Sequence, residues 1–345
     1  MLRSTLLTAA LITKKIAINI KTASSFYALS EIIRKTLALG WLLTIASPLW
    51  ALPAYTITGL DLGTLDWELE TALDINNSGQ IVGKSGGRAF LYENGAKIDL
   101  GTFGGFNGGA EAINNLGQIS GYLNGHAILY DNGVIVDLGA LSQGSISSAH
   151  DINDKGQVVG YSQTNNDTTN HAFLYEKGVM IDLGTLGGTT SVALGINNRG
   201  QIVGNASGIT FTHGHAFLYE NGVMTDLGTL GGIRSDAHAI NDNGQIVGTA
   251  WTAKGAPRAF LYDKGIMADL SMPGGSSSVN DSSAAIDINN KGQIVGQYTA
   301  NEIRHAFLYD KGQILDLKSL LPDNSDWTLV AANAINDVGQ IVGVG

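Results

Sequence analysis

One short string, INxxGQ, occurs seven times along the chain, at Ile75, Ile113, Ile152, Ile196, Ile240, Ile288 and Ile335, and most copies continue as IVG. Self-similarity with a period near forty residues means that each unit is one supersecondary element, which buries its apolar faces only against its neighbours. The units open at Asp61, Asp99, Asp137, Asp182, Asp226, Asp269 and Asp316, spaced by 38 to 47 residues. Their length varies between GQIVG and the next AFLY, as from Tyr161 to Asn170. Insertions therefore collect in one loop, and in repeat proteins such loops share one face.

Each unit carries four strand signals separated by turn signals. The first ends in AIN or DIN, the second is GQIVG, the third is HAFLY and the fourth is of the VMTDLGTL type. Asn-x-x-Gly between the first two, as at Asn76 to Gly79, lets glycine take a positive φ and close a tight hairpin. Asn-Gly or Lys-Gly between the last two, as at Asn94-Gly95 and Lys177-Gly178, is a second hairpin signal. In the third strand His171, Phe173 and Tyr175 alternate with Ala172 and Leu174, so both sheet faces need cover. The expected fold is an all-β propeller of seven four-stranded blades, with a linear β-solenoid as the alternative. Helical repeats are excluded by the two-residue period. The N-terminal strand, residues 55–62, aligns with the fourth strand of the repeat, and the chain stops after two strands of the seventh unit. There are six AFLY-type strands against seven of GQIVG type. The seventh blade is thus expected to be closed by the N-terminal strand and to lack its third strand.

Glycine is the informative count, 46 of 345 with only 5 prolines, which points to many tight turns and not to collagen. Charged residues make up 14% and hydrophobic residues 44%, enough apolar surface for a core. The absence of cysteine removes disulfides, thiolate nucleophiles and cysteine-bound zinc. Residues 1–51 differ from the rest. Arg3, Lys14, Lys15, Lys21, Arg34 and Lys35 face the single acid Glu31, and the uncharged run TLALGWLLTIASPLWALPA follows. A basic flank, an apolar stretch and small residues read as a secretory signal cut near Ala51. Pro48 interrupts the stretch, which is short for a spanning helix. The repeat region, 52–345, would then carry a net charge of about −15. Nucleic acid is excluded as a partner, because that affinity comes from neutralising phosphates. A membrane contact is expected only through an uncleaved signal.

A basic residue precedes each AFLY, and an aspartate follows it at a constant distance. The pairs are Arg88 and Asp99, His126 and Asp137, His171 and Asp182, His215 and Asp226, Arg258 and Asp269, His305 and Asp316. Across a hairpin this register places them within one or two rungs. Arginine in two of six positions argues for a structural pair and against a metal ring. The string DINDKGQ at Asp151 echoes a calcium loop, but its fifth position reads Ser78, Leu116, Lys155, Arg199, Asn243, Lys291 and Val338 across the copies. Calcium takes six to eight oxygens, and leucine or lysine supplies none, so the string reads as a turn. Asn76, Gln80 and their equivalents recur in every unit and are expected to satisfy backbone groups at the hairpin ends. No metal, cofactor or catalytic residue is assigned.

Individual chemistry is sought where the pattern breaks: Trp67, Glu68 and Glu70 in the first unit, His213, Arg234, Asp236, His238 and Trp251. Tryptophans stack on sugars and paired carboxylates serve glycoside chemistry, whereas solvated loop residues are the plainer reading. No GxSxG, HExxH, P-loop or dinucleotide fingerprint occurs.

The segment HAFLYENGVMTDLGTLGG, His215 to Gly232, followed by AINDNGQIVG, resembles the HAF repeat of extracellular bacterial proteins. The resemblance covers about Tyr55 to Gly345. It implies secretion and supplies no activity or catalytic residue. The functional expectation is a secreted or periplasmic, monomeric, non-catalytic binding or scaffold module for an extracellular glycan or protein. The alternative is a polysaccharide-acting enzyme.

Overall fold

The computed structural model describes residues 15–19, 56–59 and 70–345, apart from 86, 104–106, 165–168, 211–212, 273–281, 322–324 and 326–327. Blade 4 shows how one repeat folds. Its strands Gly187–Ile196, Ile202–Gly208, His215–Glu220 and Val223–Asp226 pair antiparallel in chain order, the first innermost and the last outermost. In the first turn the carbonyl of Asn197 accepts from the N–H of Gly200 at 3.0 Å, and Gly200 sits at φ 83°. In the second, Asn221 (φ 52°) and Gly222 (φ 82°) are both left-handed, the geometry that matches the twist of a two-residue hairpin.

Both faces of the AFLY-type strands are covered. Ala216 and Phe217 are adjacent, so they point to opposite faces, and both are fully buried. The apolar clusters run between neighbouring blades: Val159 and Ala172 of blade 3 pack with Ala193, Ile196, Ile202 and Phe217 of blade 4. Phe90, Phe173, Phe217, Phe260 and Phe307 are the largest fully buried side chains, and burying each contributes about 1.5–3 kcal/mol. A single sheet has nothing to offer the second face, which is why the repeats must stack.

The second glycine of GQIVG has its own cause. A Cβ on Gly83, Gly121, Gly160, Gly204, Gly248, Gly296 or Gly343 would lie 1.9–2.1 Å from a backbone oxygen of the innermost strand. That strand approaches so closely because it bulges there, with register shifts such as Ala72/Asp74 and Ala149/Asp151 in every sheet.

The ring closes. Ala72, Ile75, Ile81 and Phe90 of blade 1 pack with Ala334 and Val342 near the C-terminus. The protein is a β-propeller, and the solenoid alternative is ruled out. The expected blade count needs correction, however. Six blades, not seven, are built from four consecutive strands. The seventh place is held by a composite four-stranded sheet, in the order Thr56–Gly59, Lys15–Asn19, Ile341–Val344, Ala331–Ile335. The third-strand position expected to be vacant is filled by Lys15–Asn19, with Ile16 opposite Gly343 and Ile18 opposite Ile341. A five-residue strand without the AFLY sequence offers the same backbone groups, so that signature is not required to occupy the edge.

Candidate functional site

The seven INxxGQ turns meet around the axis and bury the repeat's recurring polar groups in the fold itself. Asn197 donates from Nδ2 to Gln201 Oε1 (2.7 Å) and to the carbonyl of Asn241 in the next blade (3.0 Å), while its Oδ1 accepts from the N–H groups of Arg199 and Gln201. The inter-blade bond repeats from Asn76 to Asn114, Asn153, Asn197, Asn241, Asn289 and Asn336, and Asn336 returns to the carbonyl of Asn76 at 2.8 Å. It is a closed circuit of seven. The glutamine then reaches the acid ending the third strand, as Gln201 to Glu220 at 2.9 Å.

The next residue of each turn forms a crown at the channel mouth: Asn77, Asn115, Asp154, Asn198, Asp242, Asn290 and Asp337. Each Oδ1 accepts the backbone N–H of the neighbouring blade's crown residue, Asp337 to Asn77 included. Oδ2 of Asp154 takes amide hydrogens from Asn115 and Asn198, that of Asp242 from Asn198 and Asn290, and that of Asp337 from Asn290 and Asn77. Seven is odd, so strict alternation is impossible. The doubled neighbours are two amides, Asn77 and Asn115, and never two carboxylates.

Below the crown lies a cavity of about 180 Å³ bounded by these turns and by Asp74, Asp151 and Asp287. Each of these carboxyls bridges two blades, Asp287 by accepting from the N–H groups of Ile288 and Ile335, both at 2.7 Å. They open on the cavity yet lie deep in the ring. Burial, reinforced by the charge of Asp74, pushes Asp287 up to about 7. Burial likewise raises Asp74 and lifts Asp151 well above the usual carboxylate range. Among the described residues no group of three or more histidines and carboxylates is placed to hold a metal ion.

One residue further back along the innermost strands the repeat loses its uniformity. The residue skipped by the bulge in each inner strand is Leu73, Glu111, His150, Leu194, His238, Ile286 or Asn333. A bulge frees one side chain per strand from the sheet's alternation and re-aims it. His150 Nδ1 meets the carbonyl of Ala193 at 3.0 Å, His238 Nδ1 that of Ala285 at 2.7 Å, and Asn333 Nδ2 that of Ala72 at 2.8 Å. Glu111 is paired with Lys84 of blade 1, whose ammonium lies 5.0 Å from the ring centre of Tyr122. His150 lies 5.5 Å from the ring of Tyr161. Burial pushes both histidines below the usual imidazole value, so they are neutral near pH 7.

The pattern-breaking residues divide. Arg234 forks onto Asp236 (2.9 and 3.1 Å), Asn205 donates to the same carboxylate at 2.5 Å, and the guanidinium lies 5.2 Å from the ring centre of Trp251. Arg234, Asp236, His238 and Trp251 share the inner two strands of blade 5, and Asn205 reaches them from blade 4. His213 is exposed in the blade 4 loop. Trp67 and Glu68 lie outside the described residues, and Glu70 is described only as the start of Glu70–Ile75. Of those whose side chains are described, His213, Arg234, Asp236, His238 and Trp251, none lines the 180 Å³ cavity. Lys84, Glu111, Tyr122, His150, Tyr161 and Asn333 were missed by sequence reasoning. Reading the residue two before each INxxGQ isoleucine down the copies would have exposed the layer.

Five of the recurring base–acid pairs are in contact. Arg88 bonds Asp99 (2.5 Å), and the histidines 126, 171, 215 and 305 bond Asp137, Asp182, Asp226 and Asp316 through Nδ1 at 2.9–3.0 Å. Each aspartate also receives a backbone N–H two residues on, that of Gly101, Gly139, Gly184, Gly228 or Lys318. Asp269 does the same for Ser271.

A family model described as a protein of unknown function, DUF3466, matches residues 190–345. No curated protein matches the chain. Among solved structures, the β-propeller domain of the Trilobed protease from Pyrococcus furiosus is 11% identical at a TM-score of 0.53, over 79% of this chain and 88% of that one. A puromycin-hydrolysing peptidase of Mycobacterium tuberculosis is 9% identical at 0.54, over 80% of this chain and 49% of that one. A TolB-like protein from Agrobacterium tumefaciens is 11% identical at 0.46, over 81% and 91%. At such identities the likeness extends to the propeller fold alone.

Proposed function

We propose that this chain is a secreted, monomeric, non-catalytic HAF-type repeat protein that binds an extracellular ligand at the bulge-lined part of its channel. The observation that carries this reading is the division of labour among polar residues. Those that recur in every blade are spent on the turns and on the joints between blades, whereas many that differ gather in the bulge layer and beside it, next to the non-recurring carboxyls Asp74, Asp151 and Asp287. A site needed once per molecule belongs where the repeat stops repeating.

Binding is favoured over turnover because Glu111 of this layer and Asp236 beside it are each tied to a cation, Lys84 and Arg234, and the cavity carboxyls Asp74, Asp151 and Asp287 each accept from two backbone N–H groups. Glycoside hydrolysis needs a carboxyl pair working across one bond, one of them as an acid. Secretion rests on the basic and apolar N-terminal stretch. Among the described residues no helix is long and apolar enough to cross a membrane. The test is a screen of the protein on a glycan array and against extracellular proteins, followed by a reducing-end release assay on any glycan bound. Binding without turnover is expected, and turnover would overturn the reading. Sequencing the exported protein's N-terminus tests the cut near Ala51.

A further inference from the structure

Resting on that binding reading, we infer that the bulge layer of blades 3 to 5 recognises an uncharged polyhydroxylated ring, a carbohydrate, through His150 Nε2 and His238 Nε2 as hydrogen-bond acceptors. The assignment follows from which nitrogen carries the proton. A carbonyl only accepts, so the contacts to Ala193 and Ala285 place the hydrogen on Nδ1 of both rings. Nε2 is left with a bare lone pair. It has no partner among the described residues, and neither Nε2 is among the polar atoms sealed from solvent without a bond. Two acceptors in one layer, two blades apart, ask for a ligand rich in donors.

The charge of the surroundings narrows the class. Lys84 is matched by Glu111 and Arg234 by Asp236, so the layer offers a surplus of neither sign. Among the described residues of this layer a phosphate or a carboxylate would find no uncommitted cation, and the neighbouring carboxyls Asp74, Asp151 and Asp287 are each engaged by two backbone N–H groups. Hydroxyl groups satisfy the acceptors without charge. Leu194 stands between the two histidines in blade order, and the Tyr161 ring beside His150 adds an apolar surface of the kind that packs on the C–H face of a sugar.

The decisive variants are His150→Leu and His238→Leu. Leucine already holds this position in blades 1 and 4, as Leu73 and Leu194, so the bulge accepts it. The full chain is titrated calorimetrically with the monosaccharides and short oligosaccharides that score on the array. Each variant is expected to lose at least tenfold in affinity with the melting temperature held within a few degrees, and Ser78→Ala, on a turn beyond the crown, is expected to lose nothing. Binding should also fall in acid, as protonation turns Nε2 from acceptor to donor. The midpoint belongs below the usual imidazole range, with Glu111 and Lys84 facing His150, and Asp236 and Arg234 facing His238. Glycan affinity unchanged in both folded variants would overturn this site while leaving the binding module intact. Capture of a protein but of no glycan would overturn the ligand class alone. Zinc or nickel binding, added as the bare ion and abolished by the same variants, would replace the inference with a metal site.

Discussion

Ser120 occupies the place held by Val82, Val159, Val203, Val247, Val295 and Val342 in the other sheets, and its hydroxyl is buried without a partner among the described residues. A buried unsatisfied hydroxyl costs about 1–3 kcal/mol, so Ser120→Val is expected to stabilise the protein by about that amount in urea or thermal unfolding. Asp287 is a second residue whose environment makes a measurable claim. Its folded value of about 7 stands above the ordinary 3.8, so the fold holds the proton more tightly than the unfolded chain does. Its stabilising contribution is complete below about pH 4 and is lost as pH rises through 7. Ala112, Ala239 and Ala334 occupy the equivalent position, so Asp287→Ala keeps the backbone. The variant should be less stable than the parent near pH 4, and the gap should close by up to about 4 kcal/mol by pH 8. His150 and His238 titrate in the opposite sense in both proteins, so the difference between the two melting curves is the quantity to read. A gap independent of pH would show that Asp287 titrates normally. Neither residue stands out in the sequence, because serine in a strand and aspartate before isoleucine become unusual only once the copies are stacked and their burial is seen.

The sheets themselves were far more legible than their joints. Alternation within AFLY implied cover on both faces, and Asn-Gly or Lys-Gly implied left-handed turns; Asn94, Asn132, Lys177, Asn221, Lys264 and Lys311 all have φ between 48° and 52°. The bulges were not legible. They are written only in the demand for glycine three residues after GQ, a spacing that a plain turn explains as readily. The asparagine circuit was seen only in part, because a local reading assigns amides to their own hairpin, and the bond to the next blade spans 38–48 residues or, at closure, 260. The circuit predicts a sharp contrast between neighbouring elements. Asn197→Asp aims a carboxylate at two acceptors, Gln201 Oε1 and the carbonyl of Asn241, and should cost about 3 kcal/mol or more. Asn77→Asp likewise aims a carboxylate at an acceptor, the carboxylate of Asp337, but on the exposed crown, and should cost under about 1 kcal/mol. Comparable losses in denaturant midpoints would mean that the buried circuit is not what joins the blades.

A propeller of seven sheets is only as stable as the joint that closes it, and here the closing sheet draws strands from residues 15–19, 56–59, 331–335 and 341–344. The sequence told of a shortfall in AFLY strands but not of what fills it, since the pairing groups of a strand are backbone atoms and Lys15–Asn19 carries no trace of the repeat. The filling strand lies upstream of the cut proposed near Ala51. Export with cleavage and this closure are therefore alternatives for the same molecule. A chain beginning at Leu52 would keep Thr56–Gly59 and lose its partner Lys15–Asn19, which leaves the edge of Ile341–Val344 unpaired. The expected outcome is a lower melting temperature for residues 52–345 than for the full chain. Extending the shortened chain past Gly345 with a HAFLY-type strand and an Asn-Gly turn should restore the loss, because the new strand would occupy the same edge and meet the aliphatic side chains Leu317 and Leu329 already packed beside it. Equal melting temperatures for all three chains would show that the closing sheet draws its stability from Ala331–Ile335 and Ile341–Val344 alone, held by the bonds of Asn333 and Asn336 to blade 1.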